Sequence, residues 1–310
     1  MQLAMIGLGR MGANMARRLA CHDIAVVGFD RTPAARTALA SEAGVTTTAS
    51  LREAIGALRP PRIAWSMLPA GEATDSTLQS LGGLLDAGDI VVDGGNAHYR
   101  DTLRRAERLA SQGLGFVDAG VSGGIWGLKE GYGLMVGGAD DDVRVLEPVF
   151  DALAPDAGKA RSWVHCGRTG TGHFTKMVHN GIEYGMMQAY AEGLALLAAK
   201  QEFSLDVPAI TEAWRHGTVI RSWLLDLTAK ALAADPTLGD IAPHVADSGE
   251  GRWTVTEAVD LGIPAPVISA ALAARFTSQG SAAFSDRILA AMRAAFGGHA
   301  VEKERSTGDA

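Results

Sequence analysis

Short apolar runs alternate with helical patterns through residues 2–118, and this alternation is the strongest constraint on the fold. The runs lie at residues 2–6, 24–29, 62–67, 89–93 and 115–118, and the helical patterns lie at 12–21, 33–43, 72–85 and 101–112. Runs such as IAVVGF are continuous, as expected for strands that are buried on both faces of a sheet. The alternation therefore predicts a doubly wound, mostly parallel α/β sheet, to which residues 132–137 and 162–166 could add strands.

The sequence pattern of the chain changes after the segment GRTGTG at residues 167–172. Residues 173–200 contain no proline and only three glycines, which predicts one helix of about 28 residues, or ~42 Å at 1.5 Å per residue. The rest of the chain reads as helices interrupted at Pro208, Pro236, Pro243 and Pro264. We therefore expect an α/β domain of residues 1–166, followed by an all-α domain of residues 167–310 with a long central helix.

A glycine motif, GLGRMG, follows the first predicted strand and opens the first predicted helix. Gly7 permits a tight turn, Gly9 lets the backbone approach a pyrophosphate, and Gly12 lets the helix pack on the strand. Asp30 ends the second strand, where a carboxylate accepts hydrogen bonds from ribose hydroxyls and repels a 2′-phosphate. Arg31 beside it can hold such a phosphate. The motif predicts a Rossmann domain that binds NAD, with NADP as a weaker alternative; a tight turn without a ligand is the competing interpretation.

Composition excludes several other classes of function. The formal net charge of −7 argues against a general nucleic-acid-binding protein, although a pocket can still be locally basic. Cys21 and Cys166 do not have the spacing of a metal site or a redox motif, so we expect a reduced compartment and no bound metal. No apolar run is long enough to span a bilayer, and the chain begins directly with a predicted strand. We expect a soluble, cytoplasmic protein with neither nucleic-acid nor membrane partners.

The predicted long helix carries an unusual set of polar residues in the segment KMVHNGIEYG. Lys176, Asn180 and Glu183 follow each other at i, i+4 and i+7, with His179 beside them. A solvated helix face is the alternative, but the flanking residues are apolar and glycines precede the helix. A lysine can act as a general base when burial lowers its pKa, and a nearby carboxylic acid can supply a proton at another stage. The pattern indicates an acid–base pair that works without a metal.

Two further glycine-rich segments are predicted to be loops at the same sheet edge. VDGGN at residues 92–96 ends one strand, and DAGVSGG at residues 118–124 follows the next. The second segment offers backbone N–H groups and the hydroxyl of Ser122, which suit an anion such as a carboxylate or a phosphate. Each segment could instead be a simple turn.

Four segments together resemble the decarboxylating 6-phosphogluconate dehydrogenases: GLGRMGANMARRL, VVDGGNAHYRDT, GVSGGIWGLKEGYGLMVGG and GHFTKMVHNGIEYGMMQAYAEG. The resemblance covers nearly the whole chain. It implies a Rossmann domain, an all-helical domain with a long central helix, and an active site without a metal. The implied reaction is hydride transfer from C3 of 6-phosphogluconate to a nicotinamide, followed by loss of CO₂ and formation of ribulose 5-phosphate.

The resemblance also implies roles for individual residues. Lys176 would be the general base, Glu183 the acid that protonates the enediol, and His179 and Asn180 substrate ligands. Further substrate-binding positions would be Asn96, Ser122, Gly123, Gly124, Tyr184, Arg275, Arg293 and His299. The cofactor-binding positions would be Gly7, Leu8, Gly9, Arg10, Met11, Gly12, Asp30, Arg31, Thr32, Leu68, Pro69, Ala70 and Asn96.

The chain departs from the family pattern at two positions. Ser248 stands where the family has a phosphate-binding lysine, and Arg252 is nearby but need not replace it. Asp30 stands where NADP-dependent members commonly have asparagine, which favours NAD. The chain is similar to the short form of the family, in which the motif around Arg293 and His299 reaches a neighbouring subunit. This implies a homo-oligomer, a dimer at least or a tetramer.

Two rival interpretations remain open at the level of sequence. One is another β-hydroxyacid dehydrogenase, such as a 3-hydroxyisobutyrate type. It would share the Rossmann domain and Lys176, but it would not need Glu183 or the His179–Asn180 pair. It would also not need cationic residues for a phosphate. The other is a non-catalytic NAD-binding protein, in which one or more of the expected catalytic residues would be replaced.

Overall fold

Successive side chains of the first strand enter two different apolar clusters, and this fixes the layering of the sheet. In β1 (Gln2–Ile6), Leu3 and Met5 join one buried cluster, whereas Ala4 and Ile6 join the other. Because side chains alternate between the faces of a strand, the two clusters lie on opposite sides of the sheet. The first cluster also contains residues of the helices Arg10–Cys21 and Asp140–Leu153. The second contains residues of the helices Leu51–Gly56, Glu72–Gly82 and Tyr99–Ala110. Helices therefore cover both faces, as the sequence predicted.

The computed structural model describes residues 1–155, 161–281 and 283–297, and the side chains of 1–155, 161–281 and 284–292. After β1 the strands are β2 (Ala25–Phe29), β3 (Val45–Thr47), β4 (Ile63–Ser66), β5 (Ile90–Asp93), β6 (Gly115–Ser122), β7 (Gly133–Gly137) and β8 (Trp163–Gly167). They form one sheet in the order β3-β2-β1-β4-β5-β6-β7-β8. All neighbouring strands are parallel except β6 and β7, which are antiparallel. The predicted mostly parallel sheet is confirmed.

The helices that accompany the sheet are α1 (Arg10–Cys21), α2 (Pro33–Thr37), α3 (Leu51–Gly56), α4 (Glu72–Gly82), α5 (Tyr99–Ala110), α6 (Gly127–Glu130) and α7 (Asp140–Leu153). Two local predictions were wrong. The helix expected at residues 33–43 ends at Thr37. The loop expected at residues 118–124 is strand as far as Ser122, because β7 pairs with β6 from Asp118 to Ser122.

The long helix is α8 (Thr171–Ala199), and its 29 residues confirm the prediction. The chain divides into two compact units, Met1–His179 and Asn180–Ala310, and the division falls within α8. The second unit continues with α9 (Val207–Trp214), α10 (Trp223–Ala234), α11 (Glu250–Asp260), α12 (Pro266–Ser278) and α13 (Ala283–Gly297). The all-α character expected after the sheet is confirmed, whereas the boundary expected at residue 166 stays a prediction.

The helical unit exposes an unusual amount of apolar surface. Its buried cluster consists of Tyr184, Ala271 and Leu272, as far as the described residues show. Large apolar side chains elsewhere in the unit lie open to solvent, such as Leu196 at 73% and Val219 at 99% exposure. In the described part of the chain, no helix has both the length and the hydropathy that crossing a membrane requires.

Candidate active site

The glycine motif forms a tight turn between β1 and α1. Gly7 has a φ of +92°, which a residue with a side chain rarely adopts, and its N–H donates to the carbonyl of Phe29. A Cβ on Gly12 would collide with the carbonyl oxygen of Gly7, so this glycine lets the helix lie directly on the turn. No atom lies within 4 Å of the Cβ position of Gly9, which leaves room in front of the first turn of α1. This cradle fits the pyrophosphate of a dinucleotide.

Asp30 is fixed beside that cradle by the backbone. Its Oδ2 accepts a hydrogen bond from the N–H of Leu8 at 2.8 Å, and its Oδ1 accepts one from Thr32 at 2.8 Å. Arg36, which sequence reasoning missed, donates from Nη1 to the carbonyls of Asp30 at 2.6 Å and Arg31 at 3.2 Å. The carboxylate at the end of β2 is therefore positioned by the glycine turn itself, where a ribose would lie.

Two other predicted cofactor segments meet the same turn. The carbonyl oxygen of Met67 would lie 2.6 Å, and Cδ2 of Leu68 2.8 Å, from a Cβ on Gly7, so the LPAG segment after β4 borders the glycine turn. A Cβ on Gly95 would collide with the carbonyl oxygen of Leu68, which brings the segment after β5 alongside. Asn96 follows directly and is exposed. The structure thus brings together the ends of β1, β4 and β5, as predicted for open parallel sheets.

A buried ion pair holds the end of β5. Arg105 donates from Nη1 to Oδ2 of Asp93 at 3.1 Å and from Nε to Oδ1 of Asp75 at 2.8 Å. The other Asp93 oxygen accepts the N–H of Gly95 at 3.3 Å. The hydrogen bond from Arg105 lowers the pKa of Asp75. Sequence reasoning did not identify Arg105, whose role is to fix the turn before Asn96.

Lys176 lies where α8 rests on the sheet with almost no space between backbones. A Cβ on Gly172 would lie 2.6 Å from the carbonyl oxygen of Asp118 and 2.8 Å from the N–H nitrogen of Gly137. A Cβ on Gly120 would lie 3.0 Å from Cγ of Lys176. The close backbone approach expected from the glycines before α8 is therefore an approach to β6 and β7. It leaves Lys176 half-buried on the strand that ends at Ser122.

The first turn of α8 is capped by Asp118, a residue that sequence reasoning did not select. Asp118 is fully buried, and its oxygens accept hydrogen bonds from Gly170 at 2.6 Å and His173 at 2.7 Å. The ring of His173 is bonded through Nδ1 to the hydroxyl of Thr102 at 2.7 Å. Burial raises the pKa of the Asp118 carboxyl, against the opposing effects of His173 and of the two backbone hydrogen bonds. In the sequence, only the position of Asp118 within a predicted apolar strand could have indicated its role.

The helical unit contains Asn180 and Glu183, the later residues of the stripe predicted on α8. Asn180 donates from Nδ2 to Oε1 of Glu250 at 3.0 Å, and Glu250 is only 5% exposed. A Cβ on Gly181 would lie 2.7 Å from Cγ2 of Thr254, so α11 and α8 are in close contact. Glu183, like Lys176 and His179, is half-buried. The sequence pattern indicated Asn180 but gave no indication of Glu250.

Three residues expected near a substrate phosphate adjoin one another in this unit. The guanidinium of Arg275 stacks on the ring of Tyr184 at 3.7 Å, and the Tyr184 hydroxyl is 3.4 Å from Oγ of Ser248. Arg252 is held by Asp247 at 2.7 Å, so its charge is already compensated. The side chain of Arg293 and the whole of His299 lie outside the described residues.

The glycine cradle on a doubly wound sheet, the lysine-bearing helix and the all-α unit define a β-hydroxyacid dehydrogenase type of protein. Residues 2–167 match the family model of the NAD binding domain of 6-phosphogluconate dehydrogenase, and residues 172–307 match that of its C-terminal domain. The chain belongs to the 6-phosphogluconate dehydrogenase family.

Individual relatives agree with this assignment. The chain is 42% identical over 307 residues to an NAD(+)-dependent, decarboxylating 6-phosphogluconate dehydrogenase of Haloferax volcanii, covering 98% of this chain and 99% of that protein. The Plasmodium falciparum 6-phosphogluconate dehydrogenase structure is 26% identical, with a TM-score of 0.83, 98% of this chain covered and 67% of that one. A Salmonella typhimurium 3-hydroxyisobutyrate dehydrogenase is 25% identical, with a TM-score of 0.74 and coverages of 91% and 94%. The rival class thus shares the fold but is less similar in both measures.

Proposed function

We propose that the protein oxidises and decarboxylates 6-phosphogluconate to ribulose 5-phosphate and CO₂, with NAD as the hydride acceptor. The observation that carries this proposal is the stripe of Lys176, Asn180 and Glu183 on α8, in a chain that matches the family over nearly its whole length. The NAD(+)-dependent name of the Haloferax volcanii relative supports the choice of cofactor.

The cradle at Gly7, Gly9 and Gly12 would hold the pyrophosphate of NAD, and Asp30 would accept hydrogen bonds from the adenosine ribose. Leu68, Pro69 and Ala70 would border the nicotinamide end, with Asn96 between cofactor and substrate. When bound, NAD accepts the hydride that leaves C3 of the substrate. A 2′-phosphate would meet the negative charge of Asp30, so NADP is the weaker alternative.

Lys176 would act as the general base that takes the proton of the C3 hydroxyl as the hydride leaves. The product is a ketone β to the carboxylate, so the electrons of the C1–C2 bond can pass to the C3 oxygen when CO₂ departs. Lys176 would then return its proton to that oxygen, which gives an enediol. Glu183 would protonate the carbon that lost CO₂, and the loss of the hydroxyl proton completes ribulose 5-phosphate.

The substrate would be held by its two anionic ends. Ser122, Gly123 and Gly124 would bind the carboxylate, and both glycines have the positive φ values that residues with side chains rarely adopt. Tyr184 and Arg275 would bind the phosphate, with Arg293 and His299 as further expected ligands. His179 and Asn180 would hold the reacting carbons. Arg275 beside Tyr184 favours this substrate over unphosphorylated hydroxyacids, which give a guanidinium no phosphate to bind.

We infer in addition that the active protein is a homo-oligomer in the cytoplasm. The many large apolar side chains that the helical unit exposes support a second copy as its partner, because association would remove them from water. If a neighbour supplies Arg293 and His299, Lys176→Met subunits mixed with Arg293→Ala subunits should regain activity. Mixtures that stay inactive after verified subunit exchange would mean that this segment serves its own subunit.

The direct test of the reaction is to follow reduced nicotinamide, CO₂ and ribulose 5-phosphate together, with 6-phosphogluconate as the substrate and NAD or NADP as the acceptor. We expect all three products in equal amounts. Reduction without CO₂ release, or activity only on unphosphorylated hydroxyacids such as 3-hydroxyisobutyrate, would transfer the protein to the rival class. The Lys176→Met variant serves as the control for contaminating activity.

A further inference from the structure

Three alternate residues of β6 lie on one face of the strand, and two of them contact the start of α8. Side chains two residues apart lie on the same face of a strand, so Asp118, Gly120 and Ser122 form one row. Asp118 caps the helix, Gly120 touches the side chain of Lys176, and Ser122 ends the strand. One straight segment therefore sets the distance from the helix cap to Lys176 and onward to Ser122.

The cap is built to hold the helix in one place. Both oxygens of Asp118 are used, one by Gly170 and one by His173, and the residue is inaccessible to solvent. The negative charge of a carboxylate at this position also interacts favourably with the positive, N-terminal end of the helix dipole. His173 adds a second attachment, because its ring reaches Thr102 on α5 and both residues are buried.

From this geometry we propose that Asp118 is a positioning residue for catalysis, which places Lys176 relative to Ser122 by fixing the first turn of α8 on β6. The proposal rests on the proposed role of Lys176 as the general base. Lys176 lies less than one turn beyond His173, so a shift or a fraying of the capped turn moves it directly. A displacement of about 1 Å at a reacting group can lower a rate by ~100-fold.

The test is the Asp118→Asn variant, compared with Asp89→Asn. Asparagine keeps the volume but has one acceptor oxygen, so its amide group must face one of the two N–H donors. Asp89 is a matched control: it is also buried and accepts two backbone hydrogen bonds, from Arg62 at 2.6 Å and Asp86 at 3.0 Å. It lies before β5, at the other end of that strand from Asp93.

Asp118→Asn should lower kcat by ~10- to 100-fold, with an unchanged dissociation constant for NAD. Substrate deuterated at C3 should show a larger isotope effect on this variant than on wild type, because hydride transfer becomes slower relative to other steps. Asp89→Asn should lose thermal stability but keep the wild-type kcat and isotope effect. A merely structural role for Asp118 predicts that the two variants behave alike.

Equal kcat values for the two asparagine variants, corrected for folded protein, would overturn the proposal. If wild type and Asp89→Asn both fail to oxidise 6-phosphogluconate, the proposed function has failed instead. Should Asp118→Asn not fold, the Thr102→Val variant is the second test. It removes the attachment of His173 at 2.7 Å together with a longer hydrogen bond, of 3.4 Å, from Thr102 to the carbonyl of His98 on the same helix end. A fall in kcat of ~3- to 10-fold with unchanged NAD binding supports the proposal, and an unchanged kcat refutes it.

Discussion

Replacing Asp30 with asparagine should move the cofactor preference from NAD towards NADP. Each oxygen of the Asp30 carboxylate accepts one backbone hydrogen bond, from Leu8 and from Thr32, both at 2.8 Å. Asparagine has the same size but only one acceptor oxygen, so it removes the negative charge and also one of these two attachments. The substitution therefore changes how each cofactor binds and slightly weakens the turn that holds both.

The size of the shift follows from two contributions. Asp30 is half-buried, and repulsion between unit charges about 4 Å apart costs ~1 kcal/mol in water and more in a partly buried site. The loss of charge-assisted hydrogen bonds to the ribose of NAD costs about 1 kcal/mol beyond what an amide restores. Together they give about 2–3 kcal/mol, which lowers the ratio of kcat/KM for NAD to that for NADP by about 30- to 150-fold.

The assay is initial-rate kinetics with 6-phosphogluconate and each cofactor, on wild type and Asp30→Asn. The thermal midpoint should be measured in parallel, because the lost backbone attachment lowers stability for both cofactors equally and cancels in the ratio. Arg31→Ala added to Asp30→Asn should take back part of the gain with NADP, since Arg31 is the expected ligand of the 2′-phosphate. A wild-type preference for NADP, or a ratio that Asp30→Asn leaves unchanged, would refute this account of Asp30.

Three further predictions concern single groups. Lys176→Met should lower kcat by about 10²–10⁴-fold. Glu183→Gln should still transfer hydride in a single turnover and slow only the formation of the ketose. Identical defects in the two variants would contradict their separate roles. Glu250→Ala should lower kcat/KM for 6-phosphogluconate by about 10-fold, because Asn180 loses its carboxylate partner at 3.0 Å. Glu250→Gln should retain more activity, because its amide keeps an acceptor oxygen; equal losses in the two variants would show that the charge matters rather than the acceptor. Burial raises the pKa of Tyr132 to about 12, so the stability that its neutral form contributes is complete below the unfolded value of about 10 and is lost as the pH rises through 12. In urea unfolding, the free energy of unfolding of wild type should therefore fall relative to that of Tyr132→Phe over that range, and a constant difference between the two would exclude the raised pKa.

The fold could be predicted from sequence because its signals are local. The buried strands are continuous apolar runs, and α8 is a long segment without proline. Of the two segments that were misjudged, the one at residues 118–124 depends on a distant partner. Glycines near Ser122 indicate a loop, and only the antiparallel pairing of β7 with β6 turns that segment into a strand. The three residues of β3 are too few to show a period.

The site was predictable to the extent that its residues repeat at helical spacing or follow a motif. Lys176, Asn180 and Glu183 could be predicted as site residues because one helix aligns them. Asp118 and Glu250 could not, because each acts on a backbone or side-chain group more than 50 residues away, at Gly170 and Asn180. A sequence shows that such an acid is present, but only the folded chain shows what it holds.

The row of Asp118, Gly120 and Ser122 makes the length of this segment as important as its composition. β5 pairs with β6 as far as Asp118, and β7 pairs with it from Asp118 to Ser122, so the whole row is held in register by its hydrogen bonds to β7. One inserted or deleted residue would turn every following side chain to the opposite face. The cap would then stay with the helix while Ser122 pointed away from it. In a library of random variants, insertions and deletions between these positions should therefore be lost even where conservative substitutions survive.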